Sequence, residues 1–184
     1  MNNHPLEFVP VLQRRRVLII FIGLSILCYL VFIFLDRPLA ATTPPTGIVA
    51  FELAGTPEKA GEMIASWDES ARLNIAFGLG FDFLFMPIYA ISLGLATLLA
   101  MYRRDRPWMI IGRLIGWGVV FATLFDSFEN IALFAQLTGN PVSQLAGLAL
   151  YCALIKFSLL ILGTFYALIG WFSPQASGGL SSPK

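Results

Sequence analysis

Charge is scarce in this chain. Only 12% of its 184 residues are charged, where a soluble domain carries about 25%. The net charge of +1 argues against a general nucleic-acid surface. Histidine is nearly absent: the single one, His4, lies in the N-terminal tail. A histidine triad or a histidine-ligated zinc site within the membrane is therefore excluded. Cysteine is limited to Cys28 and Cys152, both inside apolar runs. No disulfide framework follows, and the two thiols read as small packing residues. No internal repeat is evident, which leaves little basis for an inverted-repeat transporter. The length allows one compact membrane domain and no second folded one.

Long apolar runs are plentiful, with 57% of residues hydrophobic. Four runs reach the roughly 20 residues that spanning requires. Residues 17–35 contain no charge, and 74–102 are interrupted only by Asp82. Residues 108–137 carry Arg113, Asp126 and Glu129, and 145–172 carry only Lys156. The expected fold is all-α: a four-helix transmembrane bundle with a structured extracytoplasmic loop over 36–73. Residues 1–16 read as a cytoplasmic tail, and 173–184, rich in Ser, Gly and Pro, as a disordered one.

Orientation follows from basic residues near the helix ends. Arg14, Arg15 and Arg16 precede the first helix, and Arg103, Arg104, Arg106 and Arg113 cluster around the second connection. The opposite side has Arg37, Lys59 and Arg72. Both termini are thus expected in the cytoplasm of a multi-pass protein of the inner (plasma) membrane. A cleaved signal would have an apolar core of about 7–15 residues. The first run has 19, which favours a retained helix.

The outer loop has its own punctuation. Asp36-Arg37-Pro38 should end the first helix, and Thr42 to Gly47 is a turn-rich connector. Residues 47–55 are mostly apolar with one acid, Glu52. Thr56-Pro57-Glu58 starts a helix, with Thr as cap and Pro in the first turn. Its apolar face, Ala60, Met63, Ile64 and Trp67, predicts a short amphipathic helix on the membrane surface or capping the bundle. Ser66 and Glu69 have capping-box spacing at the start of the second span. Pro107 opens the third helix, Thr138-Gly139 ends it, and Asn140-Pro141 opens the fourth. Pro87 should kink the second span. Gly112 and Gly116 form a close-packing face within the bundle or between protomers.

Four charges interrupt the spans: Asp82, Asp126, Glu129 and Lys156. Each costs about 2.5–3.5 kcal/mol at a helix centre, so four left unpaired would cost roughly 10–14 kcal/mol. Pairing inside the bundle is the economical arrangement. At 1.5 Å per residue, Asp82 lies about 10 Å below Ile75, Asp126, Glu129 and Asn130 about 10–16 Å below Leu137, and Lys156 about 16 Å below Leu145. These residues fall in one band, in the outer half of the membrane. Asp126, Glu129 and Asn130 share a helix face, and Thr123 adds a hydroxyl one turn away. Tyr29 lies at similar depth on the first helix.

Three acids against one lysine leave −2 if all ionise. Several resolutions stay open. Protons can occupy one or two acids, since burial disfavours the charged form; a cation can complete the site; Arg72 or Arg37 can fold in; or Glu52 can enter from the loop and deepen the deficit. Asp82, Asp126, Glu129 and Asn130 are oxygen ligands suited to a divalent cation. A metal-dependent enzyme acting on a lipid is therefore one reading, although neither D-x-x-D-G nor DD-x-x-D is present. A polar network that only fixes helix packing, in a structural or assembly subunit of a membrane complex or a homo-oligomer, is another. The functional expectation adopted is a site for a cation, proton or small polar ligand, with the packing network as its main rival.

At these residues the chain resembles a group of small bacterial four-helix integral membrane proteins. The resemblance rests on Phe51-Glu52-Leu53-Ala54-Gly55, Trp67, Asp82, Asp126-Ser127-Phe128-Glu129-Asn130 and Lys156-Phe157, and covers most of the chain. It implies four helices in a bacterial inner membrane; membrane lipid is the partner expected of any such set of spans. It implies no activity. On this ground alone Glu52 joins the candidate site.

Overall fold

A computed structural model of the chain describes residues 3–40, 47–103, 105–139 and 142–172. Among them are six helices and no strand: α1 (Val11–Ala40), α2 (Ile48–Glu52), α3 (Pro57–Ser66), α4 (Glu69–Met101), α5 (Arg106–Thr138) and α6 (Ser143–Phe172). The four long ones are long and apolar enough to cross a membrane. At 30 to 33 residues each they measure about 45–50 Å, more than a hydrocarbon core of about 30 Å. The Thr42–Thr46 connector, the Asn140-Pro141 helix start and the tail from Ser173 lie outside the described residues.

The bundle is lopsided. α5 and α6 share the most extensive interface, α4 packs on both, and α1 packs on α4. The ring of Phe32 fixes that last contact, meeting Phe81 and Phe85 edge-on at 5.3 and 5.5 Å. The other faces of α1, including Ile19, Ile26, Leu30 and Phe34, are exposed, as lipid-facing side chains would be.

Helix starts follow cap chemistry. Thr56 accepts from the Lys59 amide at 3.3 Å, and Asp105 from the Trp108 amide at 3.4 Å. The cap of α4 is Asp68, which accepts from the Ala71 amide at 2.7 Å, rather than the expected Ser66. Ser66 is the last residue of α3 and donates to the Met63 carbonyl. The chain reverses at Trp67 because its ring is buried edge-on against Phe51, centroids 5.1 Å apart. That leaves Asp68 at the helix start, where its negative charge suits the dipole. α1 also continues two residues past Pro38. A proline this near the helix end removes only a terminal hydrogen bond.

The loop helices cap the bundle. Ala60 and Ile64 of α3 join Phe51, Trp67, Ile75, Leu133 and Ala149 in one buried cluster. Asp36 accepts from the Ile48 amide at 3.0 Å and so ties α2 to the end of α1. Gly55 takes a positive φ of 71° after α2, a turn that glycine enters without steric cost.

Residues 3–9, expected as a tail, are folded against the opposite end of the bundle. His4 is 2% exposed, and Leu6 packs with Leu95, Leu98 and Met101. The Leu6 amide donates to His4 Nδ1 at 3.2 Å, while Nε2 lies 3.1 Å from Thr97 Oγ1. Since Thr97 donates its hydroxyl to the Gly94 carbonyl, the imidazole is neutral and carries its proton on Nε2. Trp117 holds the Asn3 carbonyl, and Tyr102 donates to Glu7. Gly116 makes this seat possible, because a β-carbon there would run into the His4 ring. Gly112 similarly admits Tyr166 and Met101. Both glycines of the GxxxG motif therefore serve contacts within one chain.

Burial lowers the His4 pKa from 6.5 to about 4, with Glu7 opposing and Arg14 assisting. The folded value lies below the ordinary one, so the seat is fully stable above pH 6.5 and weakens as pH falls toward 4. A spin label on Asn3→Cys should accordingly become mobile over that interval, and Gly116→Val should free it at neutral pH. A label that stays immobile in both tests would show that the segment is held elsewhere.

Candidate functional site

Lys156 sits at the centre of the membrane-embedded polar groups. It is 5% exposed. Its ammonium donates to Asp126 Oδ1 and to Glu129 Oε1, each at 2.9 Å. Glu52 Oε1 lies 3.8 Å away. Ala149, Cys152 and Ala153, all buried small residues on α6, allow the close approach to α5 that this geometry requires.

Around the lysine the acids are tied to neighbouring helices. Tyr89 on α4 donates to Asp126 Oδ2 at 2.9 Å. Asn130 on α5 donates to Asp82 Oδ2 at 2.7 Å and reaches the Leu79 carbonyl at 3.4 Å. Glu129 is fully buried and Asp82 is half-buried. The spacing of Asp126, Glu129 and Asn130 on one face of α5 is what lets one helix serve both Lys156 and Asp82.

Glu52 is brought in by α2, the five-residue helix of the loop. Burial pushes its carboxyl above the usual range; the Lys156 charge pulls it back, and Asp126 raises it further. Counting Glu52, four carboxylates face one ammonium, a formal charge of −3 with every group ionised. Neither outer arginine offsets it. Arg72 donates to the Ile64 carbonyl at 2.8 Å, and the Arg37 guanidinium lies 5.6 Å from the Phe34 ring centroid. Glu52 Oε2 and Glu129 Oε2 are buried with no N–H or hydroxyl donor, and the two carboxyls lie within hydrogen-bonding reach of each other, so a proton shared between them would join them.

A cavity of about 420 Å³ adjoins the cluster. Glu52, Asp82, Asp126, Asn130 and Lys156 contribute to its polar lining, with Asp36 and Asn74 toward the loop end, and the rest of the wall is mainly apolar. Its volume falls within the roughly 300–1,000 Å³ of small-molecule sites.

The structure thus gathers six of the seven candidates: Glu52, Asp82, Asp126, Glu129, Asn130 and Lys156. Tyr29 lines the cavity from α1 but is 61% exposed, apart from the buried acids. Thr123 turns its hydroxyl to the Val120 carbonyl and lines a separate groove between α4 and α5. Among the described residues no three His, Cys, Asp or Glu side chains converge as a metal-ligand set. Lys156 fills the space between Asp126 and Glu129 that a divalent ion would need. Two further contributors were not among the candidates. Tyr89 orients Asp126, and the Phe157 ring lies 4.8 Å from the ammonium. Tyr89 was accessible to reasoning, since it sits two turns from Asp82 on the same helix face.

Comparison with protein-family models, with curated proteins and with solved structures yields no match for this chain.

Breaking a buried pair by removing one partner costs about 3–5 kcal/mol. Lys156→Met should lower the thermal midpoint in detergent accordingly, and adding Glu129→Gln should recover part of the loss. Equal stability of Lys156→Met and wild type would show that the lysine is not what compensates these acids.

Proposed function

We propose that this is a multi-pass protein of a bacterial inner membrane whose carboxylate–lysine cluster binds a cation, a proton or a small polar ligand. The observation that carries the reading is the imbalance of four carboxylates against one ammonium beside a cavity. A network that served packing alone would be expected to close its hydrogen bonds. This one can join Glu52 and Glu129 through a shared proton and still leaves an excess of acid.

The basic end of the bundle, with Arg14 to Arg16 opposite Arg106, favours cytoplasmic termini. The acids then lie in the outer half of the membrane, nearer the face covered by α2 and α3. A ligand would reach them from that face or from the bilayer. Protons fit the same balance, because neutralising part of an acid excess relieves repulsion without moving a helix.

A second reading has its own support. Lys156 joins α5 to α6, and Tyr89–Asp126 ties α4 to α5. These bonds fix the register of three helices, as a structural or assembly subunit would need.

Native mass spectrometry of protein purified from its own membranes separates the two. Wild type should carry a bound ion or small molecule that Glu129→Gln or Asp126→Asn loses while still inserting. Proton binding would appear instead as uptake of protons from buffer by wild type, reduced in the same variants. Full retention of binding in both variants, or folded yield and partner recovery falling together with nothing bound, would sink the reading.

A further inference from the structure

The acid excess by itself calls only for a small cation, yet the cavity beside it is elongated. α4 forms its floor, α1 one wall and α6 the other. Among the described residues α1 packs on α4 and makes no comparable contact with α6. The gap between α1 and α6 therefore opens sideways, where acyl chains would lie. Along α4 the lining runs from Asn74 to Leu93, about 28 Å of helix. Beyond Tyr89 it consists of Leu93, Leu160 and Thr164, so an apolar slot continues inward from the acids.

The electrostatics select an occupant. The charged residues on the lining are Asp36, Glu52, Asp82 and Asp126 against Lys156, again −3 if all are ionised. Glu52, 8% exposed, borders the cavity, and its carboxyl is within hydrogen-bonding reach of the Glu129 carboxyl behind it. A proton shared by those two carboxyls would close that contact, so what the cavity offers an occupant is the excess of acid on its wall. Phe85 and Tyr89 add ring faces near the acids, which favour a cation further.

We infer that this cleft binds a cationic amphiphile: a long alkyl chain ending in an amine or quaternary ammonium, admitted sideways from the membrane between α1 and α6. The inference deepens the ligand-binding reading above and rests on it. The head lies by Glu52 and Asp82, and the chain follows α4 inward past Leu93. A zwitterionic or anionic phospholipid fits poorly, because its phosphate would be set among carboxylates.

The test uses the full chain in maltoside micelles, titrated calorimetrically with dodecylamine, dodecanol and methylamine. Dodecylamine should bind one per chain, at least about tenfold tighter than either control. Glu52→Gln should weaken it by removing charge at the head. Gly78→Leu should weaken it by filling the slot, and it has room to fold, since a β-carbon there meets only Leu35 Cδ1 at 3.8 Å. Dodecanol binding as well as dodecylamine would overturn the cationic head. Methylamine or an inorganic cation binding as tightly as dodecylamine, with Glu129 dependence, would overturn the amphiphile and leave the cluster a ligand site. No binding of any probe, together with no bound species in the untreated protein, would overturn both.

Discussion

The Lys156 ammonium, 2.9 Å from both Asp126 and Glu129, sets terms for the rest of the bundle. A cation buried that deep in an apolar helix is tolerable only with an acid beside it. One acid would suffice, but two are in direct contact and a third stands 3.8 Å away. The lysine is thus satisfied more than once, while the acids share too little positive charge. That asymmetry distinguishes the cluster from a simple interhelical bridge. Every carboxylate added after the first lowers the cost of the lysine a little and raises the cost of the whole set.

The extra acid from outside the spans sharpens the point. Glu52 reaches the centre because α2 is pinned on three sides. Phe51 packs against Trp67, Asp36 holds the Ile48 amide, and Gly55 turns the chain through its positive φ. All of this structure positions a side chain that adds negative charge where it is already in excess. A loop that only sealed the bundle would be served by Phe51 and Trp67 without Glu52. The burial of the acid beside a cavity is intelligible if its charge, or the proton on it, has a partner that comes and goes.

Much of this was legible in the sequence, for identifiable reasons. The four spans were visible because bilayer thickness imposes a length and a composition on each. Asp82, Asp126, Asn130 and Lys156 could be brought together from depth along a fixed rise and from the 3.6-residue period alone. Glu52 could not, because no helical register relates a loop residue to the spans; only a resemblance brought it in. The placement of His4 was also hidden. Nothing in a short mixed N-terminal stretch says that it will find a glycine at 116 and a hydroxyl at 97. The cap of α4 was misjudged because spacing favoured Ser66, while the burial of Trp67, a tertiary effect, decided for Asp68.

The two ends of the bundle differ in a way that bears on how the cluster can work. At one end His4, Gly116, Tyr166 and Gly112 interlock, and Leu95, Leu98 and Met101 are fully buried. At the other, α1 leans on α4 through Phe32, with a cavity between it and α6. The α5–α6 interface that carries Lys156 is the most extensive in the bundle, whereas α1 is held at the cavity end by Phe32 and by the Asp36 bond to α2. The ammonium and its two nearest acids join the two helices of that interface. Glu52, Asp82, Asp126 and Lys156 all border the cavity, whereas Glu129 is wholly buried. Under the proposed binding function a partner would therefore meet Glu52, Asp82 and Asp126 at the cavity, while the contact of Lys156 with the enclosed Glu129 keeps α5 and α6 in register.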